Sequence, residues 1–83
     1  MNILVVEDDP IVADAVAMTL EQAGYFTVPS TSIQEALEEI SINEIDGVLL
    51  DLKLPDGDGT RLARLIRAKK EKQLIPILVV SGN

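Results

Sequence analysis

The sequence predicts an α/β domain with a parallel sheet and the element order βαβαβαβ. Three short apolar runs, at residues 3–6, 48–50 and 77–80, lack the polar alternation of a strand with one wet face. Such runs are typical of strands buried on both sides of a parallel sheet. Segments with helical periodicity separate them, and strands that alternate with helices form parallel sheets with right-handed crossovers.

The composition fits one small domain over residues 1–83. Hydrophobic residues make up 47% of the chain but aromatic residues only 2%, so the core has to be aliphatic. The chain has no cysteine and no histidine, which excludes a disulfide framework, thiolate chemistry, a histidine-ligated metal site and a histidine phosphodonor.

The charge and the hydropathy pattern bear on partners and location. A formal net charge of −7 disfavours direct contact with nucleic acids or anionic membranes and favours basic partners or metal cations. No apolar run approaches the length of a membrane span, and the first residues lack the pattern of a signal peptide. We therefore expect a cytoplasmic protein.

The first strand ends in three acids and leads into a helix. Asp9 is a candidate N-cap, and Pro10 suits the first helical turn. Gly24 supplies the left-handed residue that ends this helix. Its apolar stripe consists of Val12, Ala15, Val16, Thr19 and Ala23.

A weak strand at residues 26–28 precedes the second helix. Pro29 at its end indicates an edge strand. Ser32 and Glu35 have the spacing of a capping box, which marks the start of a helix. The apolar stripe that follows is Ile33, Ala36, Leu37 and Ile40.

The apolar run at residues 48–50, which is the third predicted strand, ends abruptly at Asp51, and a loop with Pro55 follows. Asp58 is a candidate cap for the third helix, whose stripe is Leu62, Leu65 and Ile66. The basic residues late in this helix complement its dipole and need no nucleic acid to explain them. Pro76 marks the entry to the last strand.

Polar side chains follow the ends of all three long strands. Glu7 and Asp8 come after the first, Asp51 ends the third, and Ser81 follows the fourth. In a parallel sheet these ends lie at one edge, and if the first and third strands are neighbours their acids lie close together. Carboxylates so close repel, which raises the pKa of at least one of them or requires a cation. An all-oxygen site favours Mg²⁺.

A carboxylate beside Mg²⁺ can attack a phosphoryl group, which gives Asp51 a chemical role. Ser81 would then hydrogen-bond the transferred oxygens. The alternative is that Asp51 only ends a strand or caps a turn. Nucleotide-binding glycine motifs and an EF-hand loop are absent from the sequence.

The chain resembles the response-regulator receiver domain of two-component signalling from Met1 to Asn83. The resemblance rests on the order and spacing of four blocks. They are Glu7-Asp8, residues 50–55, Asp58-Gly59 and residues 79–82. It implies a flavodoxin-like, doubly wound sheet with strand order 2-1-3-4, and a signalling domain rather than an enzyme.

The resemblance also implies roles. Asp51 matches the phosphoacceptor, and Glu7 and Asp8 match the Mg²⁺-binding pair, with Glu7 acting through water. The backbone carbonyl of Lys53 matches a further metal ligand, and Ser81 matches the switch hydroxyl. The phosphoryl donor would be a histidine kinase or a histidine phosphotransfer protein.

One departure from the family pattern affects the expected activity. Family domains continue with a helix, a strand and a helix, and that strand carries a lysine that none of Lys53, Lys69, Lys70 and Lys72 matches in position. We therefore expect a truncated receiver with impaired phosphotransfer. Residues 77–80 would form an apolar edge beside an uncovered sheet face, which predicts a homodimer or completion by another chain. The alternative function is a structural or interaction module without phosphotransfer.

Overall fold

The computed structural model describes residues 1–80, so the predicted site residue Ser81 lies outside the described part of the chain. The described elements follow the predicted order, with one extra hairpin and one 3-10 turn. They are β1 (Asn2–Val6), α1 (Pro10–Gln22), β2 (Phe26–Ser30), α2 (Ile33–Ile42), β3 (Gly47–Asp51), β4 (Lys53–Leu54), β5 (Gly57–Asp58), α3 (Gly59–Arg67), the 3-10 turn Lys70–Lys72 and β6 (Ile77–Val80).

The main sheet has the strand order β2-β1-β3-β6, and each of its neighbouring pairs is parallel. The predicted fourth strand is β6, so the predicted order 2-1-3-4 is confirmed. In register, Val6 lies beside both Ser30 and Leu50, and Asp51 lies beside Val80. The carboxyl ends of all four strands therefore meet at one edge of the sheet.

The second strand is longer than its sequence suggests. It continues through Pro29 to Ser30, although the sequence places Pro29 at its end. Because β2 pairs on one side only, a proline without an N–H is tolerated there.

The core lies between one sheet face and the two helices α2 and α3. It gains roughly 1.5–3 kcal/mol for each large aliphatic side chain that folding removes from water. Leu65 is a correction to the predicted stripe of α3: it is 37% exposed, and only Leu62 and Ile66 of that stripe are buried. The buried members of the core are Leu4, Val6, Ile33, Ala36, Ile40, Ile45, Val48, Leu50, Leu54, Leu62, Ile66 and Ile75.

The other sheet face is covered only in part. Helix α1 packs there, but none of its residues is buried. Its predicted stripe is corrected here: only Val16 of that stripe is half-buried, and the other four residues are exposed. The remaining half-buried residues of the helix are Ala13, Ala17 and Leu20. An open groove of about 640 Å³ runs beside it, and its lining includes Ile3, Leu20, Leu49 and Leu78. The side chain of Leu78 is 61% exposed. Aliphatic exposure on one sheet face, as expected from the sequence, is observed.

The helix caps largely follow the sequence prediction. The carboxylate of Asp9 accepts the Ile11 N–H at 2.9 Å, and that of Asp58 accepts the Thr60 N–H at 2.8 Å. Gly24 has φ +95°, the left-handed conformation that ends α1. No helix within residues 1–80 is both long and apolar enough to cross a membrane.

The cap of α2 departs from the capping-box pattern. The hydroxyl of Ser32 accepts the Glu35 N–H at 3.1 Å, as predicted. The Glu35 carboxylate, however, accepts the N–H of Thr31 at 2.8 Å rather than that of Ser32. The reciprocal bond has moved one residue back along the chain.

Candidate functional site

Three carboxylates meet where β1 and β3 end. Glu7 and Asp8 follow β1 directly, and Asp51 is the last residue of β3. Because β1 and β3 are parallel neighbours, the three side chains each bring a carboxylate oxygen within 4.8 Å of the others. This is the proximity that the sequence predicted. Asp51 is buried, with 8% of its surface exposed, whereas Asp8 faces solvent.

The electrostatics of the cluster act most visibly on Glu7. Burial raises the pKa of its carboxyl, and the charges of Asp51 and Asp8 raise it further. The N–H of Asp9 opposes this by donating to Glu7 Oε2 at 3.0 Å. The cluster therefore concentrates negative charge that a divalent cation would neutralise.

The donor set fits Mg²⁺. It consists of carboxylate oxygens with an exposed side, and Mg²⁺ prefers a few protein oxygens with water or phosphate in its remaining positions. The three acids lie on a strand end and on the residues directly after one, so the parallel sheet holds their backbones in place.

The backbone around Asp51 is tightly fixed. Gly59 donates its N–H to the Leu52 carbonyl at 2.7 Å. A β-carbon on Gly59 would overlap the Asp51 carbonyl oxygen and the Leu50 side chain. The start of α3 therefore packs directly against the strand end that carries Asp51.

Turn capping explains Asp51 poorly. The Lys53 N–H lies 3.5 Å from Asp51 Oδ1, which is longer than the usual range of about 2.7–3.2 Å. A weak bond of this kind gives little compensation for burying a carboxylate. Lys53 itself belongs to β4, and its residue is exposed.

Strands β4 and β5 form a hairpin that the sequence did not predict. Lys53 pairs with Asp58 and Leu54 pairs with Gly57, which leaves Pro55 and Asp56 at the tip. Each strand has only two residues, too few for a hydrophobic period, so the sequence predicts only a loop in this segment.

The tip of the hairpin contacts α2, and the sequence did not predict this contact either. Asp56 Oδ1 accepts the Ile33 N–H at 2.8 Å, and Oδ2 accepts the Gln34 N–H at 3.0 Å. These two bonds hold the pKa of the Asp56 carboxyl below its ordinary value. The partners are 22 and 23 residues apart, so no local signal reveals the contact.

Comparison with known proteins gives a consistent result. A family model described as the response regulator receiver domain matches residues 3–83. The swarming motility regulation protein RssB of Serratia marcescens is 42% identical over 83 residues, which are 100% of this chain and 37% of that protein. The CAI-1 autoinducer sensor kinase/phosphatase CqsS of Vibrio cholerae is 37% identical over 99% of this chain and 12% of that protein.

A solved structure agrees with these matches. The non-phosphorylated HemR receiver domain from Leptospira biflexa superimposes with a TM-score of 0.87 at 36% identity. The match covers 99% of this chain and 64% of that one. The chain thus spans about two thirds of a solved neighbour and a much smaller part of the two longer relatives.

Proposed function

This chain belongs to the response regulator receiver domain family, and on that premise we propose that Asp51 accepts a phosphoryl group in a Mg²⁺-dependent reaction. The observation that carries the proposal is the cluster of Glu7, Asp8 and Asp51 within 4.8 Å at the carboxyl edge of the sheet. An acid buried beside two others needs a counter-charge, and a phosphoryl acceptor needs the same cation.

The chain's own residues have distinct roles in this proposal. Asp8 and Asp51 would hold Mg²⁺ directly, Glu7 would act through water, and the Lys53 carbonyl would supply a further oxygen. Mg²⁺, when bound, neutralises charge on the phosphoryl oxygens. A carboxylate oxygen of Asp51 forms the new bond to phosphorus, and the bond from phosphorus to the donor nitrogen breaks. The Ser81 hydroxyl, on a residue outside the described part of the chain, would hydrogen-bond the transferred group.

The proposed donor is a phosphohistidine on a histidine kinase or a histidine phosphotransfer protein. The breaking bond leaves the electron pair on the donor imidazole, which then takes a proton from solvent. The chain has no histidine, which is consistent with its being the acceptor.

We further propose that residues 1–83 on their own accept the phosphoryl group slowly. None of the four lysines of the sequence matches the position of the lysine in the family pattern. The absence of one preorganised cation costs on the order of a few kcal/mol of transition-state stabilisation.

Intact mass spectrometry tests the proposed function. The folded chain is incubated with Mg²⁺ and a small-molecule phosphodonor, beside Asp51→Asn and a charge-matched control, Asp14→Asn, on the exposed side of α1. We expect one phosphoryl group on the wild type and on Asp14→Asn and none on Asp51→Asn. A folded wild type that gains nothing would contradict the proposal.

A second candidate function is that of an interaction module without phosphotransfer. It is favoured by the exposed apolar side chain of Leu78 on the edge strand β6 and by the open groove beside α1. A homodimer or a complementing chain would cover this surface. Phosphorylation of Asp51 separates the two functions, because only the receiver function requires it.

A further inference from the structure

We propose that Asp56 is a positioning residue for the Mg²⁺ site, because its carboxylate fastens the β4–β5 hairpin to the start of α2. The inference rests on the proposed function, in which the Lys53 carbonyl in that hairpin is a metal ligand. Asp56 would not touch the metal and would act through the backbone that carries this carbonyl.

The N-terminus of α2 shows that the bond is more than a local cap. Helix α2 begins with three N–H groups that have no partner inside the helix. Its own Ser32 takes the N–H of Glu35, whereas the N–H groups of Ile33 and Gln34 both go to Asp56. Most helices are capped by a residue next to them in sequence. The Asp56 carboxylate lies 22–23 residues away, so its bonds join the hairpin to α2 as well as pairing two N–H groups of the helix.

The hairpin has few other means of holding its tip in place. Two-stranded hairpins are marginal on their own, and this one has two residues in each strand. Gly57 lies so close to Ile33 that a β-carbon there would come within 2.9 Å of Ile33 Cδ1, and its φ of +151° also favours glycine. Glycine at position 57 offers no side chain to anchor the tip, and the two bonds of Asp56 provide that anchor.

The hairpin base is fixed separately, next to the site. The bond from the Gly59 N–H to the Leu52 carbonyl closes the base, and Leu54 is buried in the core. Lys53 lies between this base and the tip. Fixing both ends sets the position of the Lys53 backbone before the metal arrives, so binding does not have to order it.

Calorimetric titration with Mg²⁺ provides the first test. We expect Asp56→Ala to bind Mg²⁺ roughly tenfold more weakly than the wild type, the size of effect typical of groups that orient metal ligands. Ser32→Ala is the matched control, because it removes a capping bond from the same helix without touching the hairpin. We expect its Mg²⁺ affinity to stay at the wild-type value.

Amide hydrogen exchange without Mg²⁺ gives a readout that does not depend on metal binding. We expect the Lys53 and Gly59 amides to exchange faster in Asp56→Ala than in the wild type, and at the wild-type rate in Ser32→Ala. Asp56→Asn keeps one acceptor oxygen and should give an intermediate exchange rate and an intermediate affinity. It also serves as the test variant if Asp56→Ala does not fold.

The outcomes separate this inference from the proposed function. A wild type that binds Mg²⁺, together with an Asp56→Ala variant of equal affinity, overturns the inference alone. An equal loss of affinity in Ser32→Ala also overturns it, since helix capping would then explain the effect. A wild type that binds no Mg²⁺ overturns the proposed function and the inference with it.

Discussion

Gly59 packs against Asp51 so closely that the backbone of one residue occupies the space of a side chain on the other. A β-carbon on Gly59 would overlap the Asp51 carbonyl oxygen, and the Leu50 side chain fills the remaining space. This contact joins the start of α3, at Gly59, to the end of β3, where Asp51 is the proposed phosphoacceptor. Glycine is therefore required here by space and not by backbone conformation.

Gly59→Ala should lower the free energy of unfolding by about 2–3 kcal/mol, because the new methyl group can only be accommodated by moving backbone. The sign of this change in the free energy of unfolding is informative. Alanine is the better helix former by about 1 kcal/mol, so it would stabilise the helix at a site with open space. Urea denaturation followed by circular dichroism measures the change.

Gly24→Ala is the matched control for that substitution. Gly24 has open space around it but a φ of +95°, so alanine there should cost only about 1–2 kcal/mol of left-handed strain. If Gly59→Ala proves as stable as the wild type, this result would contradict the close packing of the start of α3 against Asp51.

Ser30→Ala should leave the protein as stable as the wild type or raise the free energy of unfolding by up to about 1 kcal/mol. The Ser30 hydroxyl is buried and has no hydrogen-bond partner within residues 1–80. Alanine removes an uncompensated polar group and little volume. Ser32→Ala, which removes a helix cap, should instead destabilise by about 0.5–2 kcal/mol. Thermal unfolding of both variants measures the two changes in stability. A clear destabilisation by Ser30→Ala would contradict the prediction for Ser30.

The sequence predicted the carboxylate cluster because the signals involved are short. Each apolar run marks a buried strand, and a parallel sheet brings the ends of its strands to one edge. Glu7, Asp8 and Asp51 could thus be placed together without knowing any side-chain conformation. The strand order came from the family resemblance, which the structure bears out.

The features that escaped prediction depend on distance in space. The hairpin strands are shorter than any hydrophobic period, and the bond from Asp56 to Ile33 joins residues 23 positions apart. The stripe predicted on α1 was wrong in most of its members, because only Val16 of it is half-buried and the burial of the others depends on what covers the sheet beside them. A pattern tells which side chains share a face and not how much of that face is covered.

Mg²⁺ should raise the thermal midpoint of the wild type in proportion to its occupancy of the carboxylate cluster. Asp8→Asn should lose most of this shift, because removing a ligand should weaken binding at least as much as the roughly 10- to 100-fold loss seen for orienting groups. Asp14→Asn carries the same change of charge outside the cluster and should keep the shift. Equal Mg²⁺ responses in the two variants would argue against a specific site.

Asp56 should contribute to stability in a pH-dependent way. Hydrogen bonds from Ile33 and Gln34 hold the pKa of its folded-state carboxyl below the ordinary value of 3.8. A carboxyl whose pKa is lower in the folded state stabilises that state at pH values above its unfolded-state pKa. This contribution disappears as the pH falls through the folded-state pKa. The difference in the free energy of unfolding between wild type and Asp56→Asn should therefore be constant above about pH 5 and shrink below about pH 4.

Urea denaturation at a series of pH values measures this difference. Asp58, whose pKa is also lowered by its bonds to Thr60, is present in both proteins and cancels in the comparison. A gap that stays constant down to the acid transition would show that the charge on Asp56 does not matter to the bond.

The 83-residue chain should associate with a second copy through the edge of β6 and the groove beside α1. Leu78 is 61% exposed there, and burying such a side chain contributes roughly 1.5–3 kcal/mol. Light scattering over a range of micromolar concentrations should give a mass that rises towards that of two chains. Leu78→Lys should restore the single-chain mass, because the charge is tolerated in the exposed monomer but not in a covered groove.

Leu74→Lys is the matched control: Leu74 is 94% exposed and does not line the groove, so this variant should still associate. A folded wild type with the mass of one chain at every concentration would count against the dimer, and equal effects of the two lysines would remove the groove from the explanation.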